Sequence, residues 1–234
     1  MKNIIKTIGR RLGVKILKID TPMRSLDMGL EKLSRIITPS HVIDVGVDYG
    51  SPELYATFPP TKHKYILIEA DPANAERLKK IEQSLGHGAR SANVFCGPEE
   101  GSVTLYTYDN HAYSTAYKSD YLSDHKPVQV PVKTLDSIVQ PEIDSGASFL
   151  LKIDVEGAEM DVLRGATETL KKCVAVVTEL SVSRKYEGGA ELGDVVSYLR
   201  DQGFSVYDLC SGFDRDDKLY QLDAIFVRTD ADFR

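Results

Sequence analysis

Two glycines four residues apart follow a short apolar run that carries a carboxylate. Asp44 lies in this run, Gly46 and Gly50 come after it, and Ser51 and Pro52 follow. Glycine allows positive φ and a close approach of backbone to a ligand, while serine caps a helix and proline suits its first position. The pattern predicts a strand, a tight ligand-binding turn and a helix.

The ligand of this turn is constrained by its spacing and its charge. The spacing is G-x-x-x-G, which is neither the G-x-G-x-x-G of a dinucleotide site nor a P-loop with its lysine. A carboxylate at Asp44 would repel a pyrophosphate but attract a ligand with a cationic amine and a sulfonium, such as S-adenosylmethionine. The alternative is that the two glycines serve only as turn residues.

A second acid stands at the end of the next apolar run. Residues 64–69 indicate a buried strand that ends in Glu69, and Asp71 and Pro72 open the following helix. In doubly wound folds the carboxyl ends of the strands carry the ligand, and an acid there accepts hydrogen bonds from ribose hydroxyls. Glu69 is therefore a candidate ribose ligand, and the alternative is a solvated strand end.

Two later apolar runs also end in acids. Residues 148–154 end in Asp154 and carry Lys152, and residues 173–180 carry Glu179 near their end. Residues two apart on a strand share a face, so Lys152 is predicted either to form a structural ion pair with Asp154 or to lower the pKa of an acceptor hydroxyl. Asp154 and Glu179 could hold a divalent cation. Two acids are a thin ligand set, however, and a metal-free site is favoured.

The apolar residues of the segment 109–127 follow no clean helical or strand period. A loop of this length inside a compact domain is typically functional or mobile. His111 or His125 could act as a general base, because the unperturbed pKa of histidine is about 6.5. The chain has no tryptophan to stack on a sugar, but tyrosine can do so. The tyrosines of this segment are Tyr113, Tyr117 and Tyr121.

The elements that must position these residues alternate in type along the chain. Strands are predicted near residues 41–45, 64–69, 92–96, 102–108, 148–154, 173–180, 204–209 and 222–227, and helices near residues 24–37, 157–170 and 192–202. The alternation predicts a mainly parallel sheet with helices on both faces. A polar turn between the last two strands indicates a closing antiparallel hairpin.

Composition narrows the class of protein. The chain has 234 residues, 26.0 kDa, a net charge of −6 and a pI near 5.4, which favour one α/β domain and argue against a nucleic-acid partner. Its three cysteines are widely spaced and are predicted to be reduced core residues. The sequence contains no long apolar run and no signal-peptide pattern, so we expect a soluble, cytoplasmic protein.

The N-terminal residues differ in charge from the rest. The first eighteen residues carry a charge of +6 and the remainder −12. The apolar residues of this segment fall at helical spacing: Ile4, Ile5, Ile8, Leu12, Ile16 and Ile19. A basic amphipathic helix is predicted, docked on the domain or on a partner rather than in weak contact with a membrane surface. We therefore predict an N-terminal helical extension over residues 1–39 and a main domain over residues 40–234.

The string LKIDVEGAE at residues 151–159 resembles the most specific signature of the FkbM family of S-adenosylmethionine-dependent methyltransferases. The resemblance covers roughly residues 40–228. The matching blocks, in order, are residues 42–46 with Gly50, residues 68–72, residues 130–136, residues 151–159 with 162–166, residues 176–179 and residues 199–204.

The resemblance implies a class I methyltransferase fold, which is Rossmann-like, with a seven-stranded, mainly parallel sheet and an antiparallel last strand. It also implies S-adenosylmethionine as cofactor. The cofactor-binding set that it implies, together with the strand ends, is Asp44, Gly46, Tyr49, Gly50, Glu69, Ala70 and Asp154. The candidate catalytic set is Lys152, Asp154, Glu179 and His111.

Three positions depart from the family pattern. Asp48 stands where the family often has Asn, and residues 93–98 replace a stretch that usually reads like N-V-A-x-S-D. Ser181 stands where the family frequently has His, which weakens the case for a base on the fifth strand.

The expected activity is methyl transfer from S-adenosylmethionine to an oxygen of a small-molecule or glycan acceptor, such as a hydroxyl of a sugar or of a natural product. One alternative is a non-catalytic cofactor-binding protein of the same fold. An NAD-dependent oxidoreductase is disfavoured by the G-x-x-x-G spacing and by Asp44.

Overall fold

The computed structural model of the 234-residue chain describes residues 24–108, 113–118, 125–210 and 212–231. The strands are β1 His41–Val45, β2 Lys64–Glu69, β3 Ala89–Asn93, β4 Phe95–Cys96, β5 Gly101–Tyr108, β6 His125–Lys133, β7 Phe149–Ile153, β8 Cys173–Ser181, β9 Phe204–Leu209, β10 Phe213–Arg215 and β11 Lys218–Arg228. The helices are α1 Leu26–Leu33, α2 Pro52–Thr57, a 3-10 turn at Pro72–Asn74, α3 Ala75–Leu85, α4 Leu135–Asp144, α5 Glu159–Arg164, α6 Thr167–Lys172 and α7 Leu192–Asp201.

The main sheet has the order β3-β2-β1-β7-β8-β11, and β11 pairs in addition with β9 and β10. Strands β3, β2, β1, β7 and β8 are parallel, while β11 is antiparallel to β8 and to β9. The predicted mainly parallel sheet with an antiparallel last strand is confirmed. The sheet has eight strands rather than seven, because the short β10 pairs with the beginning of β11.

Alternate residues of the central strands enter two different core layers. Ile43 and Leu151 pack in the layer under helices α4 to α7, whereas Val42 and Leu150 pack in the layer under α1 to α3. The three cysteines are buried and free, as predicted. A doubly wound sheet buries both faces in this way, which explains the continuous apolar runs of β1 and β7.

Helix α1 shares the second of these core layers. Leu30, Leu33 and Ile37 are buried there with residues of β1 and β2. The predicted amphipathic segment over residues 1–19 lies outside the described residues. The division of the chain at residue 40 therefore stays a prediction, as does membrane-surface contact. No helix in the described ranges is long and apolar enough to cross a membrane.

A second sheet, of order β4-β6-β5, was not predicted. Strand β6 begins at His125, inside the stretch predicted to be irregular. Prolines 127 and 131 obscured this strand, since proline within a run argues against a central strand. Over these residues β6 pairs only with β5, because its pairing with β4 begins at Val132. The missing proline N–H groups are tolerated on such an open edge.

Two predicted boundaries are wrong. The predicted strand over residues 92–96 is divided between β3 and β4. The predicted helix over residues 157–170 is divided into α5 and α6, with Gly165 between them. A Cβ at Gly165 would lie 2.1 Å from the carbonyl oxygen of Gly97, so the close approach of these two backbone segments requires glycine at the break.

Candidate active site

The loop after β1 begins at Gly46, where three strand ends meet. Gly46 N–H donates to the Ile68 carbonyl at 2.9 Å, and Asp154 N–H donates to the Val45 carbonyl at 2.9 Å. Gly46 has φ of +84°, and a Cβ there would lie 1.7 Å from the Asp154 carbonyl oxygen. The position therefore needs glycine for its backbone conformation and for the passage of the chain after β7.

Glu69 fastens this loop to the end of β2. Its carboxylate accepts the backbone N–H of Asp48 at 2.9 Å and that of Asp71 at 2.8 Å. The side chain is only 7% exposed, and burial raises the pKa of Glu69 although the two backbone N–H groups oppose the shift. Glu69 is thus a buried acceptor at the carboxyl edge of the sheet, where the sequence predicts a ribose ligand.

Glu69 also lines a cleft, which we call the Glu69 cleft. It runs between the ends of β1 and β2, the start of the second sheet and the turn after β7. Its lining residues are Val45, Gly46, Asp48, Ile68, Glu69, Ala70, Val94, Phe95, Cys96, Leu105, Ser114, Asp154, Val155 and Glu156. The lining combines apolar side chains with carboxylates, which suits a ligand with an aromatic base and a polyhydroxyl sugar.

A second cleft lies on the other side of the Gly46 loop, and we call it the Lys152 cleft. Its lining residues are Leu26, Gly46, Val47, Asp48, Tyr49, Gly50, Ser51, Glu53, Leu54, Lys152, Asp154, Glu179 and Asp223. Gly46, Asp48 and Asp154 line both clefts. A ligand that fills the Glu69 cleft and extends past Gly46 would therefore present its end to the Lys152 cleft.

Lys152 forms ion pairs with two carboxylates on neighbouring strands. Its Nζ lies 3.1 Å from Asp154 Oδ2 and 3.4 Å from Asp44 Oδ1. Asp44 and Lys152 stand opposite each other in the pairing of β1 with β7. Burial opposes the charged ammonium, yet Asp154 and Asp44 together raise the pKa of Lys152. Lys152 therefore stays cationic at neutral pH and cannot serve as a base.

Asp44 lies behind the clefts and does not line either of them. It is 0% exposed, and the Tyr55 hydroxyl donates to its Oδ2 at 2.7 Å. Its Oδ1 has no hydrogen-bond partner in the described part of the chain and lies 3.4 Å from Lys152 Nζ. Direct contact of Asp44 with a cofactor amine stays a prediction. In this arrangement the charge of Asp44 acts on the site through Lys152.

The Gly46 loop carries an exposed tyrosine. Tyr49 is 67% exposed and lines the Lys152 cleft, with the Arg77 guanidinium 3.7 Å from its ring centroid. The same Arg77 lies 2.8 Å from Asp48 Oδ1. The cation–π contact and the ion pair hold the tyrosine ring at the mouth of the cleft.

Glu179 and Asp223 form the far wall of the Lys152 cleft. They stand opposite each other in the antiparallel pairing of β8 with β11. The Gln221 amide donates to Glu179 Oε1 at 2.6 Å. Burial, and then the charge of Asp154, raises the pKa of Glu179 well above its ordinary value. The same causes raise the pKa of Asp223 to about 6.

The signature string supplies two more buried acids after β7. Glu156, at φ of +53°, pairs with Lys185 and accepts the Tyr186 hydroxyl at 2.8 Å. Glu159 begins α5, is 3% exposed and accepts the Gly157 N–H at 3.1 Å. Burial raises the pKa of Glu159 to about 7. These acids fix the turn that follows Asp154.

Residues 113–118 reach the Glu69 cleft through Ser114, which lines it. Ser114 Oγ donates to Asp71 Oδ2 at 2.8 Å, and Thr115 Oγ1 donates to the Glu156 carbonyl at 2.7 Å. The two bonds tie this segment to the turn after β2 and to the turn after β7. Among the described residues, the segment is therefore the part of the predicted 109–127 excursion that meets the site.

The structure describes one of the two candidate histidines and not the other. His111 lies outside the described residues, so its role stays a prediction. His125 begins β6, packs edge-on against Tyr106 with ring centroids 4.9 Å apart, and lines neither cleft.

The structure thus brings together most of the predicted site residues and adds others. Those that line at least one cleft are Gly46, Tyr49, Gly50, Glu69, Ala70, Lys152, Asp154 and Glu179. Sequence reasoning missed Asp223, Phe95 and Ser114 as lining residues. An acid inside the apolar run LDAIFV was the one signal for Asp223. Within the described chain, no group of three or more His, Cys, Asp or Glu side chains is placed to hold a metal ion.

The sheet order, the antiparallel β11 and the paired clefts at the carboxyl edge define a class I methyltransferase. The family model described as the Methyltransferase FkbM domain matches residues 44–206, which is more than half of the chain. The chain therefore belongs to the FkbM methyltransferase family, and the predicted resemblance is confirmed.

Two curated relatives are methyltransferases by name. The 2-O-methyltransferase NoeI of Sinorhizobium fredii is 26% identical over 198 residues, which cover 77% of this chain and 80% of the relative. Methyltransferase 1 of Beauveria bassiana is 27% identical over 186 residues, which cover 71% of this chain and 73% of the relative.

Two of the solved structures that the chain resembles are described as methyltransferases. The magnesium protoporphyrin IX methyltransferase of Synechocystis, with bound SAM, has a TM-score of 0.47 and 12% identity over 87% of this chain and 76% of that chain. A SAM-dependent methyltransferase of Aquifex aeolicus has a TM-score of 0.45 and 11% identity over 87% of this chain and 90% of that chain.

Proposed function

We propose that the protein transfers a methyl group from S-adenosylmethionine to a hydroxyl oxygen of a sugar, a glycan or a related natural product. The observation that carries the proposal is the junction of the two clefts at Gly46 and Asp154. The Glu69 cleft offers a site for a nucleoside, and the Lys152 cleft offers an acidic site next to it. Family membership supports methyl transfer, and the printed activity of NoeI, a 2-O-methyltransferase, supports oxygen as the acceptor atom.

The side chains of the Glu69 cleft fit the nucleoside part of this cofactor. The Glu69 carboxylate can accept the ribose hydroxyls, since ionised acceptors form strong hydrogen bonds. Phe95 and Leu105 supply apolar surface for the adenine. Gly46 lets the backbone approach the ligand without a side chain in the way.

The acidic surroundings fit the cationic part. Asp48, Asp154 and Glu179 line the Lys152 cleft, and Asp44 lies behind it. A sulfonium and an amine gain from nearby carboxylates in a partly buried site. When bound, the cofactor supplies a methyl group on a positively charged sulfur. The protein's task is then to orient the acceptor and to receive its proton.

The Lys152 cleft is the proposed acceptor site. Lys152 holds Asp154 in place through its ion pair and, being permanently charged, acts by position and charge. The exposed ring of Tyr49 at the mouth of the cleft can stack on the apolar face of a sugar ring. The excess of carboxylates favours a neutral or cationic acceptor over a phosphorylated one.

Two measurements test the proposal. Calorimetry with S-adenosylmethionine measures cofactor binding by the full chain. Incubation with methyl-labelled cofactor and a panel of methyl glycosides, alongside matched amines and thiols, followed by mass spectrometry, identifies the acceptor atom. We expect cofactor binding and label on a hydroxyl oxygen. Transfer to nitrogen or sulfur alone would contradict the proposal, and cofactor binding with no transfer to any acceptor would indicate a binding protein instead.

A further inference from the structure

Asp223 reaches the Lys152 cleft from the last strand of the sheet. Because β11 runs antiparallel to β8, the first half of β11 lies at the carboxyl edge, where the parallel strands end. The pairing of Asp223 with Glu179 places it at that edge, and its side chain lines the cleft together with Lys152 and Asp154.

The other acids on the strands around the cleft are already engaged. Asp44 accepts the Tyr55 hydroxyl, and Asp154 is paired with Lys152 at 3.1 Å. These contacts occupy one carboxylate oxygen of each side chain.

Burial raises the pKa of both Glu179 and Asp223, but the two carboxylates differ in their hydrogen bonds. Glu179 accepts the Gln221 amide at 2.6 Å, whereas Asp223 accepts no side-chain hydrogen bond from the described residues. Glu53, on α2, is the other cleft acid without such a bond, and it is exposed at the rim. Asp223 is therefore the partly buried carboxylate of this cleft that accepts no hydrogen bond from a described side chain.

We propose that Asp223 is the general base of the reaction and takes the proton of the acceptor hydroxyl in the Lys152 cleft. This inference rests on the proposed function. In the balanced step, a bond forms between the acceptor oxygen and the methyl carbon as the bond from that carbon to the sulfonium sulfur breaks. The electron pair of the broken bond stays on sulfur, and the hydroxyl proton passes to the Asp223 carboxylate.

The titration of Asp223 suits this role. Burial, followed by the charge of Asp154, raises its pKa to about 6, while Lys152 opposes the shift and Glu53 adds to it. Glu179 faces Asp223 from β8. At neutral pH Asp223 is still ionised, and it is a stronger base than an ordinary aspartate. The rate should therefore rise with pH as the carboxylate forms near pH 6.

The test compares D223N with D217N, which removes the same charge from the exposed turn before β11. The probes are labelled S-adenosylmethionine and the methyl glycoside that the wild type methylates fastest. We expect D223N to bind the cofactor within about twofold of wild type while kcat falls about 10²-fold or more, the usual contribution of a general base. We expect D217N to match wild type. In D223A, added formate should restore part of kcat.

Several outcomes would overturn the inference. One is a D223N variant with wild-type kcat and an unchanged pH profile, and another is a D223A variant that formate does not rescue. A readout independent of activity is the ¹³C NMR titration of aspartate carboxyls, in which the resonance lost in D223N identifies Asp223. A midpoint near its ordinary value of 3.8, rather than about 6, overturns the inference even if no acceptor is methylated. Absence of product with the wild type contradicts the proposed function alone.

Discussion

Glu69 holds two backbone segments and lines the Glu69 cleft, the proposed nucleoside site, at the same time. Glu69→Ala should weaken S-adenosylmethionine binding by about 1–3 kcal/mol, because a charge-assisted acceptor for the ribose is lost. The N–H groups of Asp48 and Asp71 also lose their acceptor, so the melting temperature should fall as well. Calorimetry measures the affinity, with the surface variant Glu76→Ala as the control. Unchanged affinity in a folded Glu69→Ala variant would remove Glu69 from the site.

Gly46 is constrained by backbone conformation and by space, and the chain offers a control that separates the two. Gly46 and Gly86 both have φ of +84°, but only at Gly46 would a Cβ meet backbone, at 1.7 Å from the Asp154 oxygen. Gly86→Ala should cost about 1–3 kcal/mol from strain. Gly46→Ala should lower the free energy of unfolding by several kcal/mol more, as measured by urea denaturation. Equal losses would show that the close approach of Asp154 is not rigid.

Whether methyl transfer needs a metal ion depends on the carboxylates of the Lys152 cleft. Asp154 is paired with Lys152, and Glu179 accepts the Gln221 amide. Because these contacts engage the two acids that could hold a cation, we expect methyl transfer to persist after chelation with EDTA. The measurement is the initial rate before chelation, after it and after readdition of Mg²⁺. A complete loss that Mg²⁺ reverses would contradict the metal-free route.

Several predicted site residues were chosen because they stand at the ends of predicted strands. This choice explains where the structure places them. Glu69, Asp154 and Glu179 follow apolar runs, and parallel strands bring such ends to one edge. Asp223 was not predicted as a site residue because β11 runs antiparallel to β8. Its position at the carboxyl edge of the sheet depends on its pairing with Glu179. Sequence alone does not give that register. Asp44 precedes the end of its strand and lies behind Lys152 rather than in a cleft.

At the scale of elements, helix α5 begins with a buried acid. Burial, and the nearby charges of Glu156 and Asp154, raise the pKa of Glu159 from 4.5 to about 7. The folded state therefore binds this proton more tightly than the unfolded state, and the contribution of Glu159 to stability is lost as pH rises through about 7. Acid conditions should favour the start of α5.

Glu159→Gln should remove this pH dependence, because glutamine keeps the acceptor for the Gly157 N–H and does not titrate. Relative to wild type, the variant should gain about 1–3 kcal/mol in the free energy of unfolding between pH 5 and pH 8. Urea denaturation at both pH values measures the difference, and Glu168→Gln on the exposed face of α6 is the control. Parallel pH profiles for Glu159→Gln and wild type would contradict the prediction.

Strands β1, β2, β7 and β8 of the main sheet were predictable because each is a largely apolar run. The second sheet was not, since β6 contains two prolines and pairs with β5 across the irregular segment. The break between α5 and α6 was hidden for a related reason. Gly165 within a helical pattern looks tolerable until the Gly97 carbonyl is seen to lie against it. Both errors concern contacts between distant segments.

At the scale of the whole molecule, the N-terminal residues and the rest of the chain carry net charges of opposite sign. The first eighteen residues carry +6, while the remainder carries −12. The family match begins at Asp44, after the basic segment. Because it precedes the family match and differs in charge, the basic segment is expected to be separate from the cofactor site.

Helix α1 follows the basic N-terminal segment and packs in the core of the domain. Leu30 and Leu33 are 1% and 0% exposed in the core, and the Arg24 and Lys32 side chains both bond to Asp208 of β9. Burial of a leucine side chain contributes about 1.5–3 kcal/mol. Loss of α1 would remove two such leucines and leave the Asp208 carboxylate, 7% exposed, without its cationic partners.

Two truncations should therefore behave differently. Deletion of residues 1–19 should leave the melting temperature and the affinity for S-adenosylmethionine unchanged, because this segment precedes the family match and differs in charge from the rest of the chain. Deletion of residues 1–39 should unfold the domain or lower its melting temperature sharply, because the layer under α1 would be exposed. Thermal denaturation and calorimetry on both variants and on the full chain make the comparison. If the shorter deletion abolishes cofactor binding in a folded protein, the basic segment is part of the cofactor site; if the longer deletion is as stable as the full chain, α1 is not part of the folding unit.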